Sequence, residues 1–147
     1  MKYILTAMVI LFCFSGQAQE SKRDKIRAMK VAFITEKLEL SSAEAEKFWP
    51  VHNKYDDLLF QLKVREHGKL MRDLRKSGLS GITDQESREI SKQLKTLETK
   101  IFETEQAYYD NVEKVLSSKK AIYLRVLEED FKRELYRQLK EMHRKKE

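Results

Sequence analysis

The sequence predicts an all-α fold, an elongated assembly of four long amphipathic helices, and three observations carry the prediction. One proline and four glycines in 147 residues leave too little turn material for a many-stranded sandwich or barrel. Apolar residues recur at steps of three and four along most of the chain, the spacing of one face of a helix. Two helix starts are marked by Ser or Thr with Glu three residues later, a pairing that satisfies free amides at both ends of the first turn. With 41% hydrophobic and 37% charged residues, the chain suits one modest folded unit rather than a multidomain enzyme with a large enclosed core. Lys and Arg outnumber Asp and Glu by 30 to 24, a net charge of +6, so the surface attracts anions without naming one.

The first residues read as an export signal. Met1 and Lys2 precede an uncharged, mostly apolar run from Tyr3 to Phe14, then Ser15-Gly16-Gln17-Ala18-Gln19, with small residues at Gly16 and Ala18 where a signal peptidase needs them. Cleavage is expected after Ala18, giving a signal peptide of residues 1–18 and a single helical domain of 19–147. The apolar run is shorter than the roughly 20 residues of a bilayer-spanning helix, so a leader is favoured over an anchor. Cys13 follows bulky Phe12 where lipoprotein processing wants a small residue, so lipidation is not expected. As the one cysteine in the chain it leaves with the leader, and the mature form has no disulfide or thiolate chemistry.

The helices follow in order. Ile26, Met29, Phe33 and Ile34 among basic residues predict a first helix from Lys22 to Leu38. Ser41 and Glu44 form a capping box that opens the second, whose apolar positions Phe48, Val51, Tyr55, Leu58 and Leu62 alternate steps of three and four. Pro50 interrupts this helix with a kink near 47–50 rather than a stop, because the periodicity resumes at once. Unbroken to Ser77, it would be about 54 Å long. The run Ser77-Gly78-Leu79-Ser80-Gly81 is the clear loop, and Thr83 with Glu86 caps a third helix carrying Ile90, Leu94, Leu97, Ile101, Thr104, Tyr108, Val112 and Val115 on its seam. The pattern breaks again at Leu116-Ser117-Ser118. A last helix carries Leu124, Leu127, Phe131, Leu135, Leu139 and Met142 before the basic end His143-Arg144-Lys145-Lys146.

The stretch Glu36-Lys37-Leu38-Glu39-Leu40-Ser41-Ser42 is echoed by Glu113-Lys114-Val115-Leu116-Ser117-Ser118. The Leu-Ser-x-x-Glu start at Leu40, Ser41 and Glu44, its echo at Leu116, Ser117 and Lys120, the export signal and four cysteine-free helices resemble the Spy/CpxP family of periplasmic proteins, marked by two Leu-Thr-x-x-Gln motifs. The segments 32–38, Lys47-Phe48-Trp49-Pro50-Val51 and Asn53-Lys54-Tyr55 look still more like an exported subgroup labelled as sensors of extracytoplasmic-function sigma factors. Ser41 and Glu44 keep the capping role of the family's Thr and Gln, whereas Lys120 cannot accept an amide and opposes the positive helix end. The resemblance implies a helical hairpin assembly, commonly a cradle-shaped homodimer, in the periplasm. It holds unfolded or stressed envelope proteins without ATP, or it partners a membrane-bound stress regulator.

Arg65, Lys69, Arg72 and Lys76, with Arg75 beside them, line one face of the second helix and form the candidate contact stripe; a merely solvated face is the alternative. Residues 98–113 of the third helix carry five acids against Lys100, and pairing with that face would hide the stripe. Gly68 inside the second helix is either a joint or a tolerated weakness or a close approach. Phe48 and Trp49 are about 100° apart, so either one serves a second interface or both pack on a broad buried face; of Tyr108 and Tyr109, Tyr109 is the more exposed candidate. Phe48, Trp49 and Tyr109 are thus the candidate apolar interface. His52 and Asp56 are four apart, but two ligands make an incomplete metal site. With no phosphate loop or nucleophile elbow, the chain reads as non-catalytic and needs no cofactor. Basic residues interleaved with acids, together with export, argue against nucleic acid as a partner.

Overall fold

The computed structural model describes residues 22–144, which form four helices and no strand among them. We label them α1 (22–37), α2 (42–77), α3 (Asp84–Val112) and α4 (Ser118–Arg144). The expected leader, its cleavage position, Cys13 and the basic end beyond Arg144 lie outside the described residues, as do the side chains of Met142 and His143. The chain is all-α, as its periodicity predicts. The described residues gather into two compact units, one of Ser41–Ala121 and one of residues 22–40 with 122–144.

In the first unit, helix starts fall where local chemistry put them. The Ser41 hydroxyl accepts from the Glu44 amide at 3.3 Å while the Glu44 carboxylate accepts from the Ser41 amide at 2.9 Å. Thr83 and Glu86 repeat the arrangement at 3.2 and 2.8 Å. α2 runs on across Pro50 without a stop. It is built of an α-helical part Ser42–Phe60, a π-helical turn Gln61–His67 and a second α-helical part Gly68–Ser77. Within the π turn the Gly68 amide reaches back five residues to the Lys63 carbonyl.

That extra residue explains why the apolar seam of α2 looks interrupted in the sequence. Of the half-buried positions Leu59, Phe60, Leu62, His67, Gly68, Leu70 and Leu74, the row Leu59, Leu62, His67, Leu70 and Leu74 runs at steps of three, five, three and four. The step of five falls across the π turn, and a strictly α-helical continuation would have turned Glu66, Lys69 and Asp73 inward instead. The irregularity is therefore a change of register, and Gly68 itself is ordinary helix with φ −62°.

A short turn, 78–83, returns the chain so that α3 runs antiparallel to α2. Buried Phe48, Tyr55, Leu97, Tyr108, Val112, Leu116 and Ala121 form the apolar part of this unit's core. From Gln61 to Thr96 no described side chain is buried, so the turn-side half of the hairpin has no closed core of its own.

Two glycines there invite opposite outcomes. Gly78 ends α2 at φ 63°, ψ −177°, a conformation open to glycine alone, although nothing within 4 Å would meet an added Cβ. Gly78→Ala should cost about 1–2 kcal/mol through backbone strain. At Gly68 a Cβ would press only on the flexible end of Arg72, at 3.2 Å, so Gly68→Ala should stabilise by about 0.5–1 kcal/mol. Urea denaturation of the two variants checks the opposite signs.

In the second unit α1 ends with the Leu40 amide on the Thr35 carbonyl at 3.2 Å and the Glu39 amide on the Glu36 carbonyl at 3.1 Å, with Glu39 left-handed at φ 50°. Ile34, Leu38, Leu124, Leu127 and Phe131 are buried here, the rings of Phe33 and Phe131 lie 5.7 Å apart, and Lys30 pairs with Glu128 at 3.7 Å. Ile26, Met29 and Leu139, expected on the apolar faces, are exposed instead. The buried positions are Ile34 in α1 and Leu38 just after it, and helical spacing turns Ile26 and Met29 away from that face.

Candidate functional site

The two helix-start motifs, 76 residues apart in sequence, meet in space. The Lys120 ammonium donates to the Glu44 carboxylate at 2.8 Å, both side chains being about a quarter exposed. Ser117 caps α4, its carbonyl accepting the Ala121 amide at 2.9 Å and its hydroxyl the Lys120 amide at 3.4 Å. This places Lys120 three residues after its cap, the register of the first motif. Lys120 does not turn back on its own helix end, where a cation is unfavourable; it turns to the acid of the other motif. Glu44 thus serves two roles, closing the capping box of α2 and bridging to the start of α4.

The consequence is electrostatic. The Lys120 bond, with help from the Ser41 amide, lowers the Glu44 pKa from 4.5 to about 2. A carboxylate with a depressed folded-state pKa contributes stability that is complete above its unfolded value and is lost as pH falls through the folded one. Between about pH 4.5 and 2 the protein should lose this contribution progressively. Thermal melts across that window should show a shallower acid loss in Lys120→Met than in the parent.

Next to this bridge lies an aromatic cluster. His52 is buried, its Nδ1 lying 2.7 Å from the Tyr108 hydroxyl, with donor and acceptor set by the imidazole tautomer. Asn111 donates to the Tyr55 hydroxyl at 3.0 Å and to the Ala107 carbonyl at 2.7 Å. Phe48 is fully buried with its ring 4.8 Å from that of Trp49, so Phe48 is core and offers no free surface. Trp49 and Tyr109 remain half-buried, and Tyr109 is the more open of the tyrosine pair. Sequence reasoning placed Val51 and Leu58 on this seam and missed His52. Leu58 is 43% exposed, and the buried row is Phe48, His52, Tyr55.

The basic stripe is exposed along its whole length, at Arg65, Lys69, Arg72, Arg75 and Lys76. Arg65 lies in the π turn, its guanidinium 5.6 Å from the centre of the Phe60 ring, so α-helical spacing does not align it with the other four. Lys69 pairs with Asp73 at 2.7 Å and draws that carboxyl's pKa down. Arg72, Arg75 and Lys76 have no carboxylate at ion-pair distance among the described residues. The acids of α3 do not cover the stripe; across the hairpin it is Lys63, outside the stripe, that pairs with Glu105.

Two open grooves flank the hairpin. One of about 480 Å³ is lined by Leu70 and Leu97 with Glu66, Lys69, Asp73, Glu89, Lys92 and Lys100 around them. The other, about 450 Å³, lies between the π turn and α3, bounded by Lys63, His67, Ile101 and Phe102. Near them Leu58, Val64, Met71 and Phe102 are exposed. Among the described residues no three His, Cys, Asp or Glu side chains come together as a metal site, and no helix is long and apolar enough to cross a membrane.

Searches with this chain against family models, curated proteins and solved structures returned no match.

Proposed function

We propose that this is an exported, periplasmic protein that binds unfolded or stressed envelope proteins through apolar and basic surfaces, without ATP, cofactor or catalysis. The observation that carries the reading is the turn-side half of the hairpin. There Val64 and Met71 are exposed on the same helix as Arg72, Arg75 and Lys76, within the stretch 61–96 where no described side chain is buried. Unfolded chains present apolar segments and carboxylates together, and a surface of this kind can hold both by many weak contacts. The Spy-like motifs at Leu40 and Leu116 and the predicted leader support the same reading, which extends to a homodimer.

The test is protection of a chemically denatured client from aggregation by the chain from Gln19 onward, followed by light scattering without nucleotide. The expected result is slower aggregation, with protection reduced at high salt as the cationic contribution is screened. No protection over a wide concentration range would sink the proposal. A stoichiometric complex with a membrane-bound regulator, without client protection, would replace it with a signalling role.

A further inference from the structure

The turn that joins α2 to α3 sets an exposed apolar residue, Leu79, next to the cations at the end of α2. Leu79, at its apex in the short 3₁₀ segment Leu79–Gly81, is 94% exposed. Immediately behind it, the last two turns of α2 carry Lys69, Arg72, Arg75 and Lys76 within about 120° of arc at ~100° per residue. Over residues 69–83 these four cations face one carboxylate, Asp73, which Lys69 already holds. The acids that open α3 reduce this excess without reversing it: Glu86 is engaged by the Thr83 cap, and Asp84 and Glu89 stand beside Arg88 and Lys92.

We propose that the turn end of the α2–α3 hairpin docks on an anionic lipid bilayer, with Leu79 entering the headgroup layer and Arg72, Arg75 and Lys76 set against lipid phosphates. The order of depth argues for a bilayer over an acidic protein. The apolar side chain stands outermost on a convex end and the cations lie one to two helical turns behind it, which matches an interface whose charge is shallow and whose hydrocarbon is deeper. An acidic protein surface would lie along the side of the helix against the cations and leave Leu79 in water. Gly78, with its left-handed backbone, directs the chain away from the end of α2 and so sets Leu79 at the apex. The inference does not rest on client binding, and either can stand while the other falls.

The test is co-sedimentation of the chain from Gln19 onward, which contains every described helix, with vesicles. One set is phosphatidylcholine alone and the other contains equal parts of phosphatidylglycerol. Circular dichroism establishes that each variant stays helical. Binding is expected to the anionic vesicles only. Each cation near such a surface is worth about a fivefold change in affinity, so Arg72→Gln, Arg75→Gln and Lys76→Gln together should weaken binding on the order of 100-fold. Leu79→Ser should weaken it several-fold. In Leu79→Trp, brominated lipid should quench the added indole while Trp49, about 40 Å back along α2, stays unquenched. Equal binding to both vesicle types, an unchanged affinity in the triple variant, or an unquenched indole at position 79 would overturn the proposal. Capture of poly-glutamate without vesicle binding would also overturn it, in favour of an acidic protein partner.

Discussion

Replacing Phe48 with alanine should lower the free energy of unfolding by about 3–5 kcal/mol, the range for deleting a buried aromatic ring from a site that cannot collapse. Phe48 is fully buried and its ring packs edge-on to Trp49 and tilted to His52, at ring-centre distances of 4.8 and 5.4 Å. His52 is held in turn by the Tyr108 hydroxyl at 2.7 Å and packs edge-on against Trp49 at 5.2 Å, so the surroundings have little freedom to fill the hole. The control is Phe102, the same residue type but 60% exposed on α3. Phe102→Ala should change stability by less than about 0.5 kcal/mol. Urea denaturation of both variants decides the matter. A small loss at Phe48 would mean that the ring is not core and would restore it as an interface residue.

Leu124→Ala should cost about 2–5 kcal/mol in the second unit, where Leu124 is fully buried together with Leu127, Phe131 and Ile34. Two residues earlier on the same helix Ile122 is 62% exposed, and Ile122→Ala should be close to neutral. The pair tests the face of α4 directly, since both residues are large, aliphatic and within one turn of each other. A similar loss at both positions in equilibrium unfolding would show that the outer face of α4 is covered in solution, by a second copy or another partner.

That outer face shows a wider feature of the chain. Ile122, Tyr123, Val126 and Tyr136 all lie on the exposed side of α4, opposite the buried row of Leu124, Leu127 and Phe131. Periodicity alone finds the inner row because its steps of three and four are unbroken. It says nothing of the outer residues, which break no pattern and acquire meaning only once their neighbours are known.

What the sequence determined by itself was local. Ser41 with Glu44 and Thr83 with Glu86 start helices because a side-chain oxygen and a carboxylate three residues apart satisfy amides that have no other partner, and this needs nothing from the rest of the chain. Gly78 ends α2 for an equally local reason, a backbone angle that other residues resist. The basic stripe, too, was legible as a run of exposed cations.

What only the tertiary structure decided was which of two compatible seams is buried. Phe48, Val51, Tyr55, Leu58 and Phe48, His52, Tyr55, Leu59 both alternate three and four, and hydrophobicity favours the first. The structure buries His52 with Phe48 and Tyr55 and leaves Leu58 exposed, because the Tyr108 hydroxyl on a distant helix satisfies the imidazole and removes the penalty of enclosing it. The Glu44–Lys120 bridge belongs to the same class: it depends on a contact between helices far apart in sequence, and helical periodicity cannot show which side chains such a contact will bring together.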